Sequence, residues 1–249
     1  MRAKAPISIR AIHAETSQGV SRVWTDVDGQ TLWFESADAE LCPAPEAFAG
    51  ALLLPAVTQR RGLAVDAPVN AGWHANLPAA MRLFRRWWQY PEIPLTMQAA
   101  TSDAASRVSR TGLCFSGGVD SFFSLLRYQP PVEVLVYVFD YDVPIRGHSR
   151  PPQFEPWLRR LSERAGVQAV VVRTNLKRHP VFRDVWWYAA HGACLAAVGH
   201  LLSGLIGTLV LSSSFPRTEP HPSGTHFELD PLWSSSRLEC VHFGDMLSR

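Results

Sequence analysis

Thr111-Gly112-Leu113-Cys114-Phe115-Ser116-Gly117-Gly118-Val119-Asp120-Ser121-Phe122-Phe123 decides the fold: an apolar run ends in two adjacent glycines and is followed at once by a second apolar run. The spacing predicts a strand over residues 112–115, a tight glycine turn, and a helix over 120–128. Downstream the same alternation recurs, with strands expected at 132–139, 168–173 and 208–212 and helices at 153–165 and 185–203. Strands alternating with longer helical patterns predict an α/β fold with a mostly parallel, doubly wound sheet, right-handed crossovers and a ligand site at the carboxyl ends of the strands.

Upstream the pattern differs. Two short β segments flank Asp28-Gly29, a pair suited to a tight hairpin turn. Residues 45–54 form a short helical pattern, and Asn70 can cap a longer helix through Trp73, Leu77, Met81, Phe84 and Trp88, with Pro78 inside it. Trp87 and Trp88 read as packing anchors. Residues 99–110, small and polar without periodicity, read as a linker. The expected organisation is therefore a small N-terminal α+β region over residues 1–98, a linker over 99–110, and the α/β domain over 111–249.

With 249 residues, 47% hydrophobic and 18% charged, the chain can bury a sizeable core. Its formal charge of +2 does not indicate a nucleic-acid partner such as tRNA. Cys42, Cys114, Cys194 and Cys240 lie far apart without a CxxC pair, a pattern of reduced cytoplasmic thiols rather than of a zinc or disulfide framework. Residues 1–10 lack the apolar region of a secretory signal. Residues 186–214 contain no Asp, Glu, Lys or Arg and reach the length of a membrane span, but Gly204 and Gly207 divide them and His191, His200 and Ser203 add polarity. They read as a buried helix followed by a central strand, so no membrane partner is expected.

Adjacent glycines after a strand bring backbone N–H groups towards an anion, and the helix start adds unpaired N–H groups with the positive end of its dipole. Ser116 and Ser121 add hydroxyls, so the loop reads as a phosphate cradle. It is neither a Walker A motif nor GxGxxG.

Ser116-Gly117-Gly118-Val119-Asp120-Ser121 resembles the SGGxDS pyrophosphate loop of the N-type ATP pyrophosphatases, in the adenine nucleotide alpha-hydrolase-like superfamily with its Rossmann-like fold. The resemblance spans residues 111–214 at fold level. It implies an enzyme that binds Mg-ATP, transfers AMP to a substrate oxygen and releases pyrophosphate, after which a nitrogen nucleophile displaces AMP. On that reading Ser116, Gly117, Gly118, Val119, Asp120 and Ser121 hold the nucleotide, with Asp120 also at Mg²⁺ or the helix start. Sulfur as nucleophile, or a non-catalytic ATP- or AMP-binding module, is the alternative. No amidotransferase cysteine, paired cysteine or clustered zinc site of the family's other branches is evident. The segment containing His221-Pro222, Gly224-Thr225-His226 and Asp230-Pro231-Leu232-Trp233-Ser234 resembles asparagine-synthetase-like proteins, which continue past the equivalent of Ser248-Arg249 with a further helix, so a C-terminally short form is implied.

Other residues enter by position. Asp140, after the second strand, and Arg173, at the end of the third, are expected to contact the nucleotide, with Lys177 and Arg178 nearby. Residues 216–233 are expected to form a lid or substrate loop for a small-molecule or peptide acceptor. There His221 and His226 are candidate general bases and Asp230 their orienting carboxylate. His191 and His200, nine positions apart on an apolar helix, read as core or pocket-edge residues. Homo-oligomerisation is left open.

Overall fold

The computed structural model describes residues 4–100, 106–139, 141 and 153–246. After Thr111 the alternation of strand and helix is present with boundaries close to those expected. β7 (Thr111–Cys114) leads to α3 (Val119–Arg127), then β8 (Val134–Val138), α4 (Phe154–Ala165), β9 (Gln168–Thr174), α5 (Trp187–Leu201) and β10 (Thr208–Ser212). A further strand, β11 (Glu239–Phe243), follows, which the sequence pattern does not predict. Before them come β1 (Ile7–Ile9), β2 (His13–Ser17), β3 (Val20–Val27), β4 (Gln30–Ser36), α1 (Pro45–Gln59), β5 (Leu63–Val65), α2 (Ala71–Trp88) and β6 (Leu95–Thr96).

The chain is a mixed α/β fold built on an eight-stranded sheet of order β11-β10-β7-β8-β9-β4-β3-β2. From β11 to β9 every pairing is parallel. The chain moves outward from β7 through β8 to β9, then returns to place β10 on the other side of β7. Connections therefore leave β7 and β10 in opposite directions, and the carboxyl ends of these two neighbours flank an open crevice.

Burial explains the layers. Along β8 all five residues are buried, and alternation assigns Val134, Val136 and Val138 to one face and Leu135 and Tyr137 to the other. Leu135 and Tyr137 pack with Leu113, Phe115, Val171 and Val210 beneath Phe122 and Leu125 of α3 and Phe154, Trp157 and Leu161 of α4. The opposite face carries α1 and α5, which pack on each other and bury most of their length. Residues 186–214 thus become a buried helix and an interior strand, and among the described residues no helix is long and apolar enough to cross a membrane.

The N-terminal region departs from expectation in two ways. α1 runs to Gln59 rather than stopping near residue 54, although Pro55 lies inside it. Every side chain from Ala47 to Val57 is buried, so packing outweighs the hydrogen bond that Pro55 removes. Asp28 and Gly29 form the predicted turn with φ of 51° and 80°, but β4 then pairs antiparallel with β9, through Phe34↔Thr174 and Glu35↔Arg173. The hairpin is therefore an extension of the main sheet and not a separate unit. A smaller parallel sheet, β1-β5-β6, completes this end. Asn70 caps α2 as predicted, its Oδ1 accepting from Trp73 N–H at 3.0 Å. At the linker's start Ala100 N–H donates to Val69 C=O at 2.6 Å.

Candidate functional site

β7 ends against a fixed aromatic wall. Phe115 is 2% exposed, meets Phe122 at 5.1 Å and Trp157 at 6.3 Å, and donates its N–H to Val136 C=O at 2.9 Å. The strand therefore stops at a set height, and the glycine turn starts there.

Within the turn the two glycines differ. Gly117 has φ +74°, and a Cβ there would meet Phe154 Cε2 at 3.0 Å and Trp157 Cζ3 at 3.3 Å. Left-handed backbone and aromatic crowding both demand glycine. Gly118 has φ −83° and ψ 168°, and its Cβ would meet only Ser116 Oγ, at 3.3 Å. The backbone freedom expected at both positions is thus required only at Gly117. Gly118 N–H donates to Ser116 Oγ at 3.3 Å, and Ser121 Oγ donates to Gly118 C=O at 2.8 Å. Ser121, 2% exposed, thereby braces the turn and also lines the cavity beside it. Val119 is 83% exposed and does not line the cavity.

Asp120 lies in the first turn of α3 and accepts from Ser214 Oγ at 3.4 Å. One turn on, the Ser124 and Ser212 hydroxyls are 2.8 Å apart. These two contacts tie the start of α3 to the end of β10, so the loop closes over the crevice between β7 and β10. A cavity of about 230 Å³ lies there. Ser116, Asp120 and Ser121 line it from the loop, Phe115, Val136 and Val138 from the strand ends, Ser212 from the last position of β10 and Ser214 from just beyond it. His191 and Leu195 of α5 close it with Tyr141 and Thr225. Tyr141 is buried, and its hydroxyl donates to His191 C=O.

Several expected residues lie elsewhere. Arg173 is not part of the cavity lining: its guanidinium donates to Glu155 Oε2 at 2.7 Å and covers the Phe139 ring at 4.6 Å, bracing β9 against α4. Asp140 lies outside the described residues. Lys177 sits over the Trp187 ring at 5.2 Å.

The three polar candidates of segment 216–233 also fail to meet. His221 is exposed against Phe215, with ring centroids 4.7 Å apart. His226 is 6% exposed between Trp87 and Phe227, and its Nδ1 accepts from Glu228 N–H at 3.1 Å. Burial pushes its pKa below the ordinary histidine value, with Glu228 opposing. Asp230 is fully buried, and its Oδ2 is 2.7 Å from Nδ1 of His242 on β11, so it orients neither His221 nor His226. Burial raises the Asp230 carboxyl above the ordinary range, against the lowering effect of His242. None of the three lines the cavity. The physical reason is the anchoring of the segment: Gly224 N–H donates to Tyr188 C=O at 2.9 Å, Arg217 pairs with Asp245 at 2.6 Å, and the Trp233 carbonyl meets His200 Nε2 at 2.8 Å. The expected lid is a docked wall.

Ser212 and Ser214 are cavity residues not singled out from sequence, whereas Thr225 belongs to the expected substrate segment and Tyr141 follows Asp140 in the stretch after the second strand. Ser212 and Ser214 had a usable signal, since they end the fourth strand of the α/β part, where ligand groups are expected. For Thr225 the sequence marks the segment, 216–233, but not the residue, because its position depends on a backbone contact between distant glycines. Among the described residues no group of three or more His, Cys, Asp or Glu side chains is arranged to hold a metal ion. Comparison of the chain with protein-family models, with curated proteins and with solved structures finds no match.

Proposed function

We propose that this protein is an AMP-forming ATP pyrophosphatase with a doubly wound, adenine nucleotide alpha-hydrolase-like core. It would adenylate a substrate oxygen, release pyrophosphate, and allow a nitrogen nucleophile to displace AMP. The observation that carries this reading is the coincidence of the loop at residues 116–121 with a cavity at the carboxyl ends of β8, β7 and β10. The parallel strand order reverses direction between β7 and β10, the usual place for a nucleotide in such a sheet.

The residues present fit ATP. Gly117 keeps the turn free of a Cβ, and the start of α3 supplies backbone N–H groups and a favourable dipole for phosphate. Ser116 lines the cavity as a further hydroxyl donor, while Phe115, Val136 and Val138 offer an apolar surface. Asp120 is the loop's carboxylate and the residue that would hold Mg²⁺. ATP, when bound, supplies an electrophilic α-phosphorus and pyrophosphate as leaving group. The chain's part is positioning and electrostatic stabilisation of that departing charge. One observation favours sulfur as the alternative nucleophile: Cys114, two residues before the loop, lines the same cavity.

The test is nucleotide binding followed by product analysis. Mg-ATP should bind in calorimetry, and ATP labelled separately at the α and γ positions should yield labelled AMP and labelled pyrophosphate with a competent acceptor. ADP and orthophosphate as primary products would remove the reading.

A further inference from the structure

We propose that the α5 end of the cavity recognises the acceptor, that Thr225 and His191 are its specificity-determining side chains, and that the acceptor is a small carboxylic acid. This rests on the reading of residues 116–121 as the phosphate loop.

The cavity has two ends of different construction. At the loop end Ser116, Asp120 and Ser121 face Ser212 and Ser214. The rest of the lining includes His191 and Leu195, one helical turn apart on α5, and Thr225. The position of Thr225 is set by backbone, not by side chains. A Cβ at Gly192 would lie 1.8 Å from the Gly224 carbonyl oxygen, and a Cβ at Gly224 would lie 2.7 Å from the Ala189 carbonyl oxygen. Segment 216–233 therefore crosses α5 main chain to main chain, held by the Gly224 N–H to Tyr188 C=O bond, and delivers the next residue into the cavity. Ser223 Oγ, on the other side of the crossing, donates to Thr225 C=O. A contact this close constrains Thr225 to a narrow range of positions, as a residue that measures a substrate must be.

The chemistry of that end matches a carboxylate on a short apolar body. A hydroxyl and an imidazole N–H can each donate to a carboxylate oxygen, while Leu195 and Leu211 cover aliphatic carbon. The same four residues lie outside the loop that carries Ser116 and Asp120, so a carboxylate held there leaves the loop to the nucleotide phosphates. In the step proposed, one carboxylate oxygen attacks the α-phosphorus of ATP. The bond from that phosphorus to the bridging oxygen breaks, and pyrophosphate leaves with the electron pair, so no proton is exchanged and no redox partner is required.

Hydroxylamine supplies the test, because it converts an acyl adenylate to a stable hydroxamate and AMP. Short aliphatic carboxylic acids and amino acids are presented singly with Mg-ATP and hydroxylamine, and hydroxamate is measured. For the acids that react, Thr225→Val and His191→Gln should raise the KM at least tenfold and leave the Mg-ATP Kd within twofold, with Thr225→Ser restoring the KM. A site built to hydrogen-bond its substrate loses discrimination when one partner is removed. Parental KM in both variants overturns the assignment. So does a loss of Mg-ATP affinity in Thr225→Val equal to that in Gly117→Ala, since this end would then belong to the nucleotide. Mg-ATP binding without hydroxamate from any acid overturns the substrate class alone, whereas a parent protein that does not bind Mg-ATP overturns the loop reading beneath it.

Discussion

Gly117→Ala and Gly118→Ala differ by one position and should differ sharply in effect. At Gly117 the backbone has φ +74°, where an L side chain costs about 1–2 kcal/mol. The added methyl also meets Phe154 at 3.0 Å and Trp157 at 3.3 Å. Neither ring can retreat freely, because Phe154 is 4.6 Å from Tyr137 and Trp157 is 6.3 Å from Phe115, centroid to centroid. Overpacking of this kind costs about 1–3 kcal/mol, so the sum is roughly 2–5 kcal/mol. At Gly118 the backbone is extended and the new methyl meets only the Ser116 hydroxyl at 3.3 Å, and replacing a glycine N-cap by alanine costs at most about 1 kcal/mol. Two measurements are needed, since the protein can absorb the strain either globally or by distorting the loop. Urea denaturation reads the first, and Mg-ATP calorimetry the second, where each tenfold loss of affinity is about 1.4 kcal/mol. Gly117→Ala should lose at least about 2 kcal/mol over the two assays together, with Gly118→Ala close to the parent in both. Gly117→Ala at parental stability and affinity, or Gly118→Ala equally damaged, would refute the geometric account of this turn.

The buried Asp230–His242 pair should matter for stability and not for nucleotide affinity: His242→Ala leaves a fully buried carboxyl without its partner and should cost about 3–5 kcal/mol in urea denaturation, with the Mg-ATP Kd unchanged. A tenfold weaker Kd with parental stability would instead place the pair in the site. Stability should also fall on mild acidification. Burial lowers the folded pKa of both His200 and His226, so the unfolded state takes up protons first; the stability these residues contribute is complete above an unfolded pKa of about 6.5 and is lost as pH falls through that value towards the folded ones. The urea midpoint should drop between pH 7.5 and 5.5, and His226→Gln should flatten the slope; a parent slope near zero across this window would contradict the burial argument.

The sequence is legible where one local signal dominates. Residues 111–128 carry apolar runs, a glycine pair and a helix start, all of which agree, and the strand, turn and helix lie where the pattern puts them. Asn70 and the Asp28-Gly29 turn are equally local. α1 is the opposite case: Pro55 signals an end, and only the tertiary burial of the helix against α5 carries it on to Gln59. The pairing of β4 with β9 is hidden for a related reason, since a sheet edge bears no mark of the strand that will cover it. A boundary drawn from composition at residues 99–110 thus divides strands that hydrogen bonding joins.

At the site the same distinction decides which residues can be read. The glycine loop at residues 116–121 is contiguous, so its sequence contains its geometry. The far wall is assembled from α5 and segment 216–233, and chemistry-bearing letters there mislead. His221, His226 and Asp230 are the conspicuous residues, yet Phe215, Trp87 and His242 hold them outside the cavity. What determines the wall is the crossing of Gly192 and Gly224, two residues with no functional group at all. Their lack of a Cβ permits the main-chain contact, the contact sets the register of the segment, and the register makes the threonine beside Gly224, and not the histidine after it, face the cavity. Acceptor preference should therefore follow substitutions at Thr225, while substitutions at His226 act through the packing against Trp87 and reach the cavity only by shifting that register.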